Sequence, residues 1–232
     1  MKKASAPAPK LKLPRMYIEN CEPYSEWLML EYKHCLETWP GITFTNVQDQ
    51  KLHQTLSAFL KIAAFFEDSR DDDSGDDETA RDDSKNGAAK RAKGAVYKSS
   101  LSELKEFQPK KTIILDPAAP KALATADLDM AGALVVGGIL GSEGFTGKTG
   151  RLLTEKLGCQ ARNLGKTQLS IDSAVVVCRL IALGLKLDKI KLSTELEIQH
   201  DDGHSTILPY GYPVLDGKVI FTPGLKEYLR KH

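Results

Sequence analysis

Three short stretches concentrate the residue types that bind ligands or do chemistry. In residues 135–150, VVGGILGSEGFTGKTG, an apolar run empties into a cluster of glycines. Glycine at the end of a strand lets backbone N–H and C=O groups approach a ligand that a β-carbon would hold away. The stretch closes on Gly147-Lys148-Thr149, the end of the phosphate-binding pattern GxxxxGK[ST]. The first glycine of that pattern would have to stand at Ser142, and Gly141 comes one residue early. A cradle of N–H groups depends on register, so the match is incomplete. In the second stretch, ARNLGKTQLSIDSAV at 161–175, a turn through Asn163, Leu164 and Gly165 offers exposed backbone groups to a heterocycle edge. The third is HDDGH at 200–204, two histidines around two aspartates. An Asp-Gly turn breaks the helical spacing that would aim both imidazoles at one ion, so no metal site is expected. Carboxylates that could hold a cation stand at Asp116, ahead of Pro117, and along Glu19, Glu22, Glu26 and Glu31.

These stretches need elements to position them. Residues 16–19 read as a short strand and 25–38 as an amphipathic helix, with Ser25 as N-cap and Pro40-Gly41 as its stop. A strand over 42–47 and a helix over 52–66 follow. A helix is expected around 101–107, then strands at 112–115 and 133–137. A helix at 151–157, a strand at 160–162 and a long helix over 170–185 complete the pattern. Strands alternating with helices predict an α/β fold, a parallel sheet with helices on both faces. The remainder carries one hairpin signal, Asp216-Gly217 between apolar runs, and reads as an appendage on the sheet.

Charge is patterned although the net is only +1. Residues 1–15 carry five bases and no acid, and read as a disordered basic tail. Residues 67–83 hold ten acids, and 84–93 hold four bases. With almost no apolar residue, about 67–95 cannot offset its ordering entropy, and is expected to be a disordered insert within a single domain over 16–232. Outside these stretches acids and bases balance at 21 each, against a broad nucleic-acid surface. No apolar stretch is long enough for a membrane helix and no leader is apparent. The four cysteines lack paired spacing, which fits reduced thiols. A cytoplasmic protein with no membrane contact is the expectation.

Taken in order, the motifs resemble a family. GGILG at 137–141, followed by R-x-LG-x-x-Q-L-S-x-D-S-A from Arg162, resembles the SPOUT methyltransferases. The branch containing the fungal SPOUT-type protein arginine methyltransferase and archaeal proteins described as RNA methyltransferases is the most similar. YIENCEPYSEWLMLEY at 17–32, ILDP at 114–117 and LPYGYPVLDGKVIFTPGLKEYL at 208–229 match that branch in order. The resemblance implies a SPOUT-type α/β knot, its C-terminal part tied in a deep trefoil. It implies S-adenosyl-L-methionine as cofactor, held by Leu115, Pro117, Gly137, Gly138, Ile139, Leu140, Gly141, Asn163, Leu164, Gly165, Gln168, Leu169 and Ser170. Gly137, Gly138 and Gly141 would serve because a β-carbon would meet the cofactor or demand a disallowed φ. The implied activity is transfer of a methyl group to arginine of a protein substrate, a small-subunit ribosomal protein, by a monomer rather than a homodimer. A guanidinium acceptor needs carboxylates, and Asp116, Glu22 and Glu26 are the candidates for that catalytic role. An RNA methyltransferase on the same fold and a nucleotide-binding protein using Gly147-Lys148-Thr149 stand as alternatives. The turn after GGILG departs from the branch: Ser142 stands where relatives have Asp, Gly144 and Phe145 where they have prolines, and Lys148 where they have Arg.

Overall fold

The computed structural model describes residues 13–68, 94–140, 147–200 and 203–231, with the side chains of 63–68 left aside. The basic tail to Lys12, most of the charged insert, the turn from Gly141 to Thr146, and Asp201 and Asp202 lie outside the described residues.

Two runs, RMYIEN and ALVVGG, form the middle of the sheet. The first is β1 (Arg15–Asn20), followed by α1 (Glu26–Thr38), β2 (Thr43–Thr45), α2 (Gln50–Asp68) and β3 (Ala95–Val96). Next come β4 (Thr112–Leu115), α3 (Thr125–Met130), β5 (Ala133–Gly138), α4 (Glu155–Leu157), β6 (Gln160–Arg162) and α5 (Ile171–Ala182). The six strands stand in the order β3-β2-β1-β5-β4-β6. Every pairing is parallel, and β1 and β5 are in register from Arg15 against Ala133 to Asn20 against Gly138. Central parallel strands are covered on both faces, which is why β1 and β5 read as nearly continuous apolar runs rather than alternating ones.

Alternate side chains of these strands divide between two apolar clusters. Met16, Ile18, Leu134 and Val136 pack with Leu28, Tyr32 and Cys35 of α1, Leu52 and Leu56 of α2, and Val175, Cys178 and Ile181 of α5. Tyr17, Ile114 and Val135 pack on the other face with Leu101, Leu153 and Leu157. Helical segments therefore cover both faces.

The caps fall where the sequence places them. Ser25 Oγ accepts from the Leu28 N–H at 3.1 Å and opens α1. Ser170 caps α5, at the first residue of the helix expected over 170–185, its Oγ accepting from the Ser173 N–H.

The expected helix at 101–107 does not form. A single 3-10 turn, Leu101–Glu103, stands there. The Ser100 hydroxyl donates to Glu19 Oε1 at 2.6 Å and the Leu101 N–H to Glu19 Oε2 at 3.0 Å, so a buried carboxylate from β1 fixes the turn's start. A second 3-10 turn, Pro109–Lys111, begins at proline. The helix expected at 151–157 is a widened turn, Gly150–Thr154, running into the short α4.

Beyond the sheet the chain makes β7 (Lys191–Ser193), β8 (Leu196–Gln199), β9 (Ser205–Leu208), β10 (Tyr212–Leu215), β11 (Lys218–Val219) and α6 (Leu225–Lys231). The strands pair antiparallel as β8-β9 and β11-β10-β7. Asp216 and Gly217 both have positive φ (50° and 76°) and join β10 to β11 in the two-residue hairpin that Asp-Gly signals. Ile198, Leu208, Tyr212, Leu225 and Leu229 form a third apolar cluster, against Trp27 and Leu30 of α1.

Candidate functional site

A cavity of about 350 Å³ opens where β4, β5 and β6 end. Ligands of open α/β sheets bind outside the carboxyl ends of strands, where loops present unpaired backbone groups. Its walls come from three chain segments and the start of α5. Leu115 to Ala118 follow β4, Gly137 with Ile139 and Leu140 follow β5, and Leu164 to Ile171 bridge β6 and α5. Gly147, Lys148 and Thr149 close one side. The lining is mainly apolar, with hydroxyl, amide and ammonium groups from Thr149, Thr167, Ser170, Gln168 and Lys148.

Of the residues the sequence singles out for this site, Leu115, Asp116, Pro117, Gly137, Ile139, Leu140, Leu164, Gly165, Gln168, Leu169 and Ser170 line one cavity. They come from three separate segments of the chain, brought together by the β4-β5 and β4-β6 pairings. Gly141 lies outside the described residues. Asn163 stands behind the wall: its Nδ2 donates to the Ala119 carbonyl at 2.8 Å and its Oδ1 accepts from the Gly165 N–H at 3.0 Å. It shapes the loop while Gly165, at φ +98°, supplies a conformation other residues rarely adopt.

Of the two reasons expected for the glycines, a disallowed φ does not apply to Gly137 or Gly138. A β-carbon on Gly138 would strike the Tyr32 hydroxyl and stand 3.0 Å from Asn20 Cα; on Gly137 it would meet Leu153 Cδ1 at 2.9 Å. Neither residue has positive φ. Gly138 is held to glycine by protein packed against the end of β5 and does not line the cavity, whereas Gly137 does line it and meets only the movable ends of Leu153 and Ile139.

The expected carboxylates separate. Asp116 is buried at the cavity wall, Oδ1 accepting from the Ala118 N–H (2.9 Å) and Oδ2 from the Thr154 hydroxyl (2.6 Å). It ties the β4 loop to the turn before α4. Glu22 and Glu26 do not line this cavity. Glu22 sits half-buried just past β1, beside Cys21, whose thiol is pushed up to about 11, chiefly by burial and then by Glu19 and Glu22. Glu26 is exposed and faces a separate groove between α1 and α6, with Tyr24, Glu227 and Tyr228.

Sequence reasoning missed the polar cluster behind the cavity. Glu31 of α1 and Asp172 of α5 are each only 1 % exposed. Glu31 Oε1 accepts from the Trp27 indole N–H at 2.6 Å, and Oε2 from the Ile171 N–H at 3.0 Å. Burial, then the charge of Asp172, raises the Glu31 carboxyl to about 8. Asp172 Oδ1 accepts from the Ser170 hydroxyl (2.6 Å) and the Ser173 N–H (2.9 Å). Its Oδ2 accepts from His34 Nδ1 (2.7 Å) and the Thr222 hydroxyl (2.6 Å). The cluster joins the floor of the cavity to α1 and to the chain near the C-terminus. Its local signal was the i, i+4 pair Trp27 and Glu31; the partners 138 and 140 residues apart left none.

At the other motif, His200 Nε2 lies 2.7 Å from Thr206 Oγ1 within the β8-β9 hairpin. Among the described residues no three His, Cys, Asp or Glu side chains could hold a metal ion.

A parallel α/β sheet with a largely apolar cavity at its strand ends places the chain among the open α/β proteins that bind a ligand outside the carboxyl ends of their strands. The comparisons give the family. A sequence profile described as "Protein arginine N-methyltransferase SFM1-like" matches residues 15–232, and the chain belongs to this family. Its fold is similar to that of the yeast arginine methyltransferase SFM1 complexed with SAM, at TM-score 0.69 and 21% identity over 95% of this chain and 91% of that one. The complex of the same yeast protein with SAH matches at TM-score 0.68 and 20% identity over 93% and 94%. No curated protein sequence gives a significant match.

Proposed function

We propose that the cavity binds S-adenosylmethionine and that the protein transfers the methyl group to an arginine of a protein substrate. The observation that carries this is that three loops of one family-matched chain meet in one cavity at the ends of β4, β5 and β6. The residues present fit the cofactor. Leu115, Val136, Leu164 and Ile171 give apolar surface to a heterocycle, and Thr167, Gln168 and Ser170 give hydrogen-bonding groups to a ribose or amino-acid moiety.

When bound, the cofactor supplies a sulfonium methyl group open to in-line displacement. The chain's own part is to orient and to exclude water. Asp116 and Thr154 hold the β4 loop against the turn before α4, and the Ser170 cap with the Glu31–Ile171 contact holds the start of α5. Asp116, which lines the cavity and keeps a free acceptor position on each oxygen, and Glu22, just past β1, are the carboxylates we assign to the guanidinium. Glu26 belongs to the approach of the polypeptide. The charge balance outside the tail and insert favours a peptide over an RNA acceptor.

The finer reading is a cytoplasmic monomer acting on a small-subunit ribosomal protein, its C-terminal part tied in a deep trefoil knot. It takes 16–232 as a single domain. It is supported by the motif order and by the absence, among the described residues, of any helix long and apolar enough to cross a membrane. Calorimetric titration with S-adenosylmethionine and with ATP–Mg²⁺ tests the core of the proposal. Binding of the first alone, followed by label transfer from [³H-methyl] cofactor into ribosomal protein, is expected. Label in rRNA would reassign the acceptor, and binding of ATP alone would refute the reading.

A further inference from the structure

The buried cluster behind the cavity contains one residue whose role neither the family match nor the cavity lining supplies. His34 stands on α1, two turns from the Ser25 cap, its side chain 12% exposed. Its Nδ1 meets Asp172 Oδ2 at 2.7 Å. Asp172 is the second residue of α5, and its neighbours Ser170, Ile171 and Ala174 are cavity wall. Its four acceptor positions are filled by Ser170, Ser173, Thr222 and His34.

Polar and titratable groups from three parts of the chain surround Glu31 and Asp172. From α1 come Glu31, Tyr32 and Cys35; from α5, Asp172 and Ser173; from the C-terminal segment, Thr222, Tyr210 and Tyr212. Both tyrosines are held up by burial first and then by the charge of Glu31. Two of these groups, Glu31 and Asp172, are carboxylates inside the protein, and His34 alone among them can carry a positive charge. An unpaired buried carboxylate is strongly unfavourable, so the loss of one charge-assisted donor from Asp172 must be met by movement or by uptake of a proton.

We propose that His34 is a positioning residue for the cofactor site: by donating from Nδ1 to Asp172 it fixes the N-terminus of α5, and with it the cavity wall made by Ser170, Ile171 and Ala174. This rests on the cavity being the cofactor site.

The test uses the full chain with His34→Leu and His34→Asn, since the Asn amide nitrogen can take the place of Nδ1. Two readouts are taken at one pH: hydrogen exchange of amides 171–175 without cofactor, and the calorimetric Kd for S-adenosylmethionine. The expected result is faster exchange at 171–175 and about tenfold weaker binding for His34→Leu, one charge-assisted hydrogen bond. For His34→Asn, rescue is expected, with exchange and Kd near those of the wild type. Wild-type exchange in His34→Leu, or a His34→Asn protein as impaired in both readouts as His34→Leu, would overturn the proposal. If His34→Leu does not fold, the exchange and Kd of His34→Asn against the wild type decide alone. If the wild type binds no S-adenosylmethionine the cofactor reading fails, and hydrogen exchange still decides whether His34 holds α5.

Discussion

Glu31 and Gly138 show how much of this site depends on groups that do not line it. Glu31 is raised because its charged form is buried next to Asp172, so it favours the folded state when protonated. That contribution is full below the ordinary carboxyl value of 4.5 and is lost as pH climbs towards about 8. Glu31→Gln cannot ionise, but one of its two buried donors then faces an amide N–H. The variant should be less stable than the wild type at pH 5 by about 1 kcal/mol. The gap should close or invert by pH 8.5, as urea midpoints at the two pH values will show. Gly138→Ala places a methyl against the Tyr32 hydroxyl, which itself donates to Asn20 Oδ1 at 2.7 Å. A loss of about 1–3 kcal/mol is expected from overpacking, read as a lower Tm in the absence of cofactor. A glycine needed only for contact with the cofactor would instead leave that Tm unchanged.

At the scale of elements, local chemistry decided what was readable. The Ser25 and Ser170 caps and the Asp216-Gly217 turn are written in adjacent residues, and the structure has them in place. Gly217→Ala should therefore cost about 1 kcal/mol, because φ of 76° suits glycine. Asp216→Gly, at φ 50°, should be close to neutral. Thermal melts of both variants check the pair. The 101–107 segment was misread because its fate is set by Glu19 on a distant strand, which binds Ser100 and Leu101. The helix α3 and the hairpin β8-β9 also went unread, since Thr125–Met130 is one short turn-rich segment and Leu196–Gln199 half-exposed. The cavity loops were legible as glycine-bearing strand ends. The Glu31–Asp172–His34 cluster was not, because its members meet only when α1 and α5 pack together.

At the scale of the molecule, the position of β1 sets the order in which the chain can become a protein. β1 at 15–20 is made early, yet the neighbour that pairs with it along its whole length, β5, ends at residue 138. The α5 helix that packs against α1 lies later still, ending at Ala182. During synthesis β1 can meet β2 early, but its β5 edge stays unpaired until residue 138 has emerged, and non-local parallel pairing of this kind folds slowly. A chain stopped at residue 130 should remain protease-sensitive and lack a cooperative melt, although it carries β1 to β4 in full. A folded fragment would show that the β1-β2 half nucleates alone. Arrested chains of increasing length, probed by limited proteolysis on the ribosome, should gain protection in one late step once β5 and α5 emerge.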